Sequence, residues 1–84
     1  MNIQNLSLTD FTSKELNWLY LVLDEKRRDY EYKIEAAGKM DPSVLKYELF
    51  DFFNEQFNIC TQFQTKVDEA AKFVKTREIM QSSN

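Results

Sequence analysis

Gly38-Lys39-Met40-Asp41-Pro42 contains the only glycine and the only proline of the 84-residue chain. Glycine readily takes the left-handed conformation that ends a helix, whereas proline fits the first turn of a following helix. Asp41 can accept a hydrogen bond from the first free amides of that second helix. Because no other residue of this kind interrupts the chain, the segment predicts one hinge, at 38–41, between two helices.

The start of the first helix is predicted from Thr12-Ser13-Lys14-Glu15, which has the Ser/Thr-x-x-Glu spacing of a capping box. Phe11 and Leu16 flank this box at the two positions of a hydrophobic staple. We therefore expect helix one to span about 13–37 and helix two about 42–79.

Apolar residues recur every three or four positions in both segments, which is the period of one helix face. The predicted core face of helix one contains Leu16, Leu19, Tyr20, Leu23, Arg27, Tyr30, Ile34 and Ala37. The predicted core face of helix two contains Leu45, Leu49, Phe52, Phe53, Cys60, Phe63, Val67, Ala70, Ala71 and Val74. The two faces predict an all-α antiparallel hairpin in which Leu16 lies near Phe63. In this arrangement the N-terminal end of helix one lies level with Val67.

Helix two is predicted to be about 20 Å longer than helix one at 1.5 Å per residue, so its excess length needs a cover. One alternative is a break near 61–65 that folds the chain back as a third helix. The others are an N-terminal arm, residues 1–11, docked on the hairpin, or a second copy of the chain packed with it as a helical bundle. We expect one helical domain over 1–84, with a frayed tail at 81–84.

Cysteine content and charge indicate a cytoplasmic setting. The lone cysteine, Cys60, lies in an apolar run that is typical of a buried small hydrophobe, and an unpaired thiol fits a reducing compartment. No signal peptide or membrane-spanning segment is recognised, so we expect no membrane contact. The net charge of -3 gives no general attraction for nucleic acid.

Large apolar side chains outside the core faces predict an interaction surface. This surface comprises Trp18, Leu21, Val22, Tyr32, Phe50 and Phe57. A two-helix hairpin buries one stripe per helix, so surplus apolar residues mark either self-association, with a dimer favoured, or a protein partner. Trp18 and Phe57 are the expected anchors, because buried aromatic residues tend to dominate interface energies.

A basic cluster on helix one supports a second hypothesis. It consists of Lys26, Arg27, Arg28 and Lys33, and acidic residues surround it. The cluster could contact nucleic acid, although interleaved acids are more typical of a solvated face. Arg27 falls on the core face, where it would need a partner such as Glu55 or could line a site for a small anionic ligand between protomers.

Enzymatic function is not expected. The chain has no histidine and no glycine-rich phosphate loop, and its carboxylates Glu48, Asp51 and Glu55 share a helix face as they do in many acidic helices. Metal sites in helical bundles usually use a Glu-x-x-His motif, which is absent here. We therefore predict no catalytic residue, no metal ligand and no cofactor.

Residues 8–19, LTDFTSKELNWL, together with the hinge and second helix, resemble the small helical-hairpin proteins of phages and mobile elements of low-GC bacteria. Such proteins are often accessory factors that bind a host protein, and the resemblance implies no particular site residue. The preferred hypothesis is a small non-enzymatic protein-binding modulator or inhibitor. The alternatives are a dimeric helical-bundle regulator that binds nucleic acid and an oligomeric sponge for a small anionic ligand.

Overall fold

The chain folds as two long antiparallel helices joined by a short connection. The structure, a computed structural model, describes residues 7–82. Helix α1 spans Ser13–Gly38 and helix α2 spans Val44–Ser82, and a single 3₁₀ turn at Leu8–Asp10 precedes them. The all-α hairpin predicted from the sequence is confirmed.

The first turn of α1 is capped as predicted. Thr12 is the N-cap, and its hydroxyl accepts a hydrogen bond from the Glu15 N–H at 3.1 Å. The Glu15 carboxylate accepts one from the Thr12 N–H at 2.9 Å. These reciprocal bonds satisfy amides that would otherwise lack a partner at the helix N-terminus, so α1 begins at Ser13.

The end of α1 differs from the prediction. Gly38 does not have a positive φ angle, so it does not end the helix in the left-handed conformation. It is the last helical residue. The Lys39 N–H donates to the Ala36 carbonyl at 3.2 Å, and the Met40 N–H donates to the Ala37 carbonyl at 3.1 Å. Both are hydrogen bonds between residues three apart, the 3₁₀ pattern. They satisfy the last carbonyl groups of the helix without a left-handed residue.

Helix α2 begins two residues later than predicted, at Val44. The Ser43 hydroxyl accepts a hydrogen bond from the Lys46 N–H at 3.1 Å, which is the N-cap contact that was predicted for Asp41. Asp41 lies in the connection, outside the helix. Serine and aspartate are about equally good N-caps, so the sequence alone did not separate these two starts.

The buried core is a short apolar cluster between the N-terminal half of α1 and the C-terminal half of α2. Leu16, Val67 and Val74 are fully buried, and Ala70 completes the cluster. The partly buried residues packed against it are Leu8, Leu19, Leu23, Phe63 and Ala71. Cys60 is also buried, as predicted.

The helices pair in a different register from the predicted one. Leu16 packs in one cluster with Val67 and Val74, which lie beyond Phe63 along α2. The offset is about two helical turns. A shift of about seven residues presents the same face of a helix to its partner, so the apolar stripes are compatible with both registers.

The N-terminus of α1 lies level with Glu78 rather than with Val67. The Ser13 N–H and hydroxyl donate to the Glu78 carboxylate at 3.2 and 2.5 Å. Just before α1, the Thr9 carbonyl accepts a hydrogen bond from the Arg77 guanidinium at 2.8 Å. The segment that precedes α1 therefore contacts the C-terminal part of α2.

Two residues assigned to the core face of α2, Leu45 and Phe52, are exposed. Phe53 takes the position against Tyr30, with ring centroids 6.3 Å apart. Phe52, one residue earlier, is turned about 100° away from that contact. Leu45 precedes Phe52 by seven residues and lies on the same exposed flank.

Helix α2 is continuous, so the predicted alternative of a break at 61–65 is wrong. The Thr61 and Thr65 hydroxyls donate to the carbonyl groups four residues earlier, at 3.0 and 3.2 Å, inside an unbroken helix. The helix continues through Ser82. Residues 1–6 of the predicted arm and residues 83–84 of the predicted tail lie outside the described residues.

Candidate functional site

The side of α1 that points away from α2 carries an apolar patch. Trp18, Leu21 and Tyr32 have between 58% and 71% of their surface exposed, and Val22 is partly buried. Their spacings of three, four and fourteen residues place them on one side of the helix. We call these four residues the outer face of α1.

A cleft of about 500 Å³ opens beside Trp18. It is lined by Phe11, Lys14, Glu15, Leu16, Trp18 and Leu19. The capping box sets the backbone at Thr12, so it also positions the preceding Phe11 along α1. Phe11, Trp18 and Leu19 make the cleft apolar.

Phe50 and Phe57 lie on the other helix, away from the outer face of α1. Phe57 lines a second cavity, of about 420 Å³, together with Tyr20 and Gln64. Phe50 precedes Phe57 by seven residues, so it lies on the same side of α2. The structure therefore places four of the predicted interaction residues together on α1 and two on α2.

The second cavity contains a polar network that the sequence analysis did not identify. Gln64 is buried, and its amide donates to the Tyr20 carbonyl at 3.4 Å and to the Asp24 carboxylate at 3.2 Å. Asp24 also accepts from Arg27 at 2.9 Å and pairs with Arg28 at 3.0 Å. The hydrogen bond from Arg27, followed by that from Gln64, lowers the pKa of Asp24. The available signal was the spacing of three and four residues from Asp24 to the two arginines.

The basic cluster is largely balanced by acids of the same helix. Arg27 pairs with Asp24 and, at 3.5 Å, with Glu31, so the expected partner Glu55 is wrong. The hydrogen bond to Asp24 raises the pKa of Arg27.

Lys33 is paired in the same way, with Asp29 at 2.9 Å, and this contact raises the pKa of Lys33. Its ammonium also lies 5.3 Å from the ring centroid of Tyr30. Lys26, the fourth member of the cluster, is exposed and lines a shallow depression with Glu25 and Asp29. Three of the four cations already pair with carboxylates of the same helix. A phosphate group at this cluster would therefore have to displace those carboxylates.

A row of large apolar side chains spaced by seven residues runs along α2. It contains Leu45, Phe52, Ile59, Phe73 and Met80, each between 51% and 65% exposed. Lys66 stands at the one polar position of the row. We call this set the heptad row of α2. Its strict spacing was visible in the sequence, but two of its members had been assigned to the core face.

Within residues 7–82, no group of three or more side chains is arranged to hold a metal ion. Neither of the two described helices has an apolar stretch long enough to cross a membrane.

Comparisons with protein-family models, with curated proteins and with solved structures find no match.

Proposed function

We propose that this chain is a small non-enzymatic module that binds another protein through the outer face of α1 and thereby modulates or inhibits it. The observation that carries the proposal is the exposure of Trp18, Leu21 and Tyr32 on one side of a helix whose opposite side is already packed. Exposed apolar side chains grouped in this way mark interaction sites on soluble proteins.

The chemistry around the outer face defines the kind of partner. Trp18 borders the 500 Å³ cleft, which would receive an apolar anchor of the partner. Glu25 and Asp29 lie on the same side of α1 between Val22 and Tyr32, and both are exposed. An apolar segment with one basic residue near Glu25 would complement this surface, because Asp29 already pairs with Lys33 at 2.9 Å.

The resemblance to hairpin accessory proteins of phages and mobile elements supports a host protein as the target. The buried free thiol of Cys60 supports action in the cytoplasm. In this proposal the chain acts by occupying a surface of its target.

The test is capture of a partner from a bacterial lysate with the wild-type chain, followed by calorimetry on the purified pair. Trp18→Ala removes the largest exposed side chain of the face, and we expect its affinity to fall at least about thirtyfold, the size of a hot-spot effect. Tyr47→Ala is the matched control, because Tyr47 is an aromatic residue of similar exposure, 60% against 67% for Trp18, and lies on α2, away from the outer face.

Circular dichroism should show that both variants keep the wild-type helix content. Equal binding of the partner by Trp18→Ala and the wild type would contradict the proposal. Loss of helix content in Trp18→Ala would also contradict it, because Trp18 would then be a structural residue.

A further inference from the structure

The second cavity, of about 420 Å³, has one wall from each helix. α1 contributes Tyr20, Asp24 and Arg27, and α2 contributes Phe57, Thr61, Gln64, Thr65 and Asp68. The α2 residues follow one another at spacings of three and four, so they form one continuous strip along three turns of the helix. The polar network around Asp24 uses only part of this lining.

The amide oxygen of Gln64 has no hydrogen-bond partner within residues 7–82. Gln64 is only 6% exposed, and its nitrogen donates to the Tyr20 carbonyl and to the Asp24 carboxylate. Both of these groups are acceptors, so the orientation of the amide is determined and its oxygen is directed away from them. No fully enclosed polar side-chain atom in the same range lacks a partner, so this oxygen opens into the cavity that Gln64 lines. A donor placed in the cavity would satisfy it.

The remaining polar groups of the α2 wall are also acceptors. The Thr61 and Thr65 hydroxyls donate to the carbonyl groups four residues earlier, at 3.0 and 3.2 Å. Each hydroxyl has one hydrogen, so these two oxygens can only accept from a ligand. One oxygen of Asp68 pairs with Lys72 at 3.0 Å, and the other pairs with no cation within residues 7–82. The α2 wall therefore calls for a ligand that donates hydrogen bonds.

The charged groups around the cavity favour a cation over an anion. Arg27 is the cation of the lining, and its guanidinium already pairs with two acids of its own helix. Asp24 and Asp68 are carboxylates of the lining, whereas the further cations that contact them, Arg28 and Lys72, do not line the cavity. An anion would meet the acceptor oxygens of α2, which would repel it.

The aromatic rings of Tyr20 and Phe57 complete the lining. Aromatic faces attract cations and also pack against alkyl groups. The volume of the cavity lies within the range of sites for small molecules.

We propose that this cavity binds a small organic ammonium ion, which is an amine that is protonated at neutral pH and carries a short alkyl group. A primary ammonium has three N–H donors and no acceptor, so it complements the free oxygens of Gln64, Thr61 and Asp68. Its alkyl group would lie against Tyr20 and Phe57. None of the residues of the outer face of α1 lines this cavity, so the inference does not depend on the proposed protein partner.

The first test is an NMR titration of the wild-type chain with n-butylammonium at constant ionic strength. 1-Butanol and butyrate are the matched probes, because they have the same alkyl length and differ in charge. We expect n-butylammonium to shift the Gln64 side-chain amide signals and the backbone amides of 57–68 with a Kd on the order of millimolar, the range open to five heavy atoms. 1-Butanol should bind at least about tenfold more weakly, and butyrate should not shift these signals.

The second test uses variants that remove one acceptor at a time. Asp68→Asn removes the charge at nearly constant size, and we expect it to weaken n-butylammonium binding about tenfold. Thr61→Val removes the hydroxyl oxygen at constant shape and should weaken binding about threefold. Thr76→Val is the matched control, because the Thr76 hydroxyl donates to the Lys72 carbonyl in the same way outside this cavity, and it should bind as the wild type does.

Circular dichroism checks that all three variants keep the wild-type helix content. The proposal is wrong if n-butylammonium leaves the signals of Gln64 and 57–68 unchanged, since the cavity would then hold only water. Binding of butyrate as tight as that of n-butylammonium would overturn the assigned ligand class. Wild-type binding by both Asp68→Asn and Thr61→Val would overturn the assigned site.

Discussion

Asp24 and Gln64 form the most connected polar contact in the hairpin. The Gln64 amide reaches across from α2 to the Asp24 carboxylate, which two arginines of α1 also contact. A buried amide needs partners, since an unsatisfied polar group costs about 1–3 kcal/mol. This single pair of residues therefore favours one register of the two helices over the alternatives that the apolar stripes allow.

Glu78 makes the corresponding contact at the N-terminus of α1. The Ser13 hydroxyl, followed by the Ser13 N–H, lowers the pKa of Glu78. A carboxyl whose pKa is lower in the folded state stabilises the fold above its ordinary pKa, and this stabilisation is lost as the pH falls through the folded value. The ordinary values are 4.5 for Glu78 and 3.8 for Asp24, so the loss begins below about these pH values.

We expect the urea midpoint of the wild type to fall between pH 6 and pH 3, and the midpoint of Glu78→Gln to fall less. The variant has no carboxyl to protonate at this contact, so part of the acid sensitivity disappears. Glu25→Gln, on the exposed face of α1, is the matched control and should keep the wild-type pH dependence. Identical pH dependence of Glu78→Gln and the wild type would show that the contact with Ser13 does not stabilise the fold.

The helix ends are set by hydrogen bonds within a few residues. At the connection, Ser43 caps α2 and the Lys46 ammonium donates to the Gly38 carbonyl at 3.2 Å. Lys46 therefore links the start of α2 to the end of α1. The connection between the helices comprises 39–43, and its two ends are tied by this one side chain.

Substitution of the cap distinguishes the two candidate starts of α2. Ser43→Ala removes the acceptor of the Lys46 N–H and should lower the free energy of unfolding by about 1 kcal/mol. Asp41→Ala should change it by less than about 0.5 kcal/mol, because Asp41 is exposed in the connection. Urea unfolding measures both changes, and the opposite order would restore Asp41 as the cap.

Replacement of Gly38 by alanine should stabilise the fold. A glycine that ended the helix in the left-handed conformation would instead make the same substitution destabilising. It has no positive φ angle, and a Cβ atom added to it would meet nothing within 4 Å. Gly38→Ala should therefore raise the free energy of unfolding by about 0.5–1 kcal/mol. Ala36→Gly, in the same last turn, should lower it by a similar amount. A loss of stability in Gly38→Ala would indicate that the residue ends the helix in the left-handed conformation.

The whole molecule is an elongated single layer, with extents of 62, 26 and 14 Å. The large side chains that are fully buried within residues 7–82, Leu16, Val67 and Val74, belong to one cluster. In the half of the hairpin near the connection, most side chains that face the other helix are only partly buried. Small domains with little buried apolar area are marginally stable as isolated chains.

The difference between packed and outward residues of α1 is measurable. Leu16→Ala empties a fully buried position and should lower the free energy of unfolding by about 2–5 kcal/mol. Leu21→Ala, the same change on the outer face, should lower it by less than about 0.5 kcal/mol. Thermal and urea unfolding of the two variants at one protein concentration give the comparison, and equal losses would mean that the outer face is part of the core.

The sequence by itself determined the two helices, their hinge, the capping box at Thr12 and the buried position of Cys60. These features depend on local hydrogen bonds and on helical periodicity, which neighbouring residues specify. It also indicated the outward position of Trp18 and Leu21, because both lie off the apolar stripe.

Only the tertiary structure decided the register, the end of α1 and which apolar residues of α2 stay exposed. A shift of two turns leaves the same face toward the partner, so periodicity cannot choose a register. The contacts of Gln64 and Glu78 do choose one, and these contacts join residues that are 40 and 65 positions apart in the chain. The exposed flank of α2 was decided by the rotation of α2 about its own axis, which places Phe53 rather than Phe52 against Tyr30 of α1.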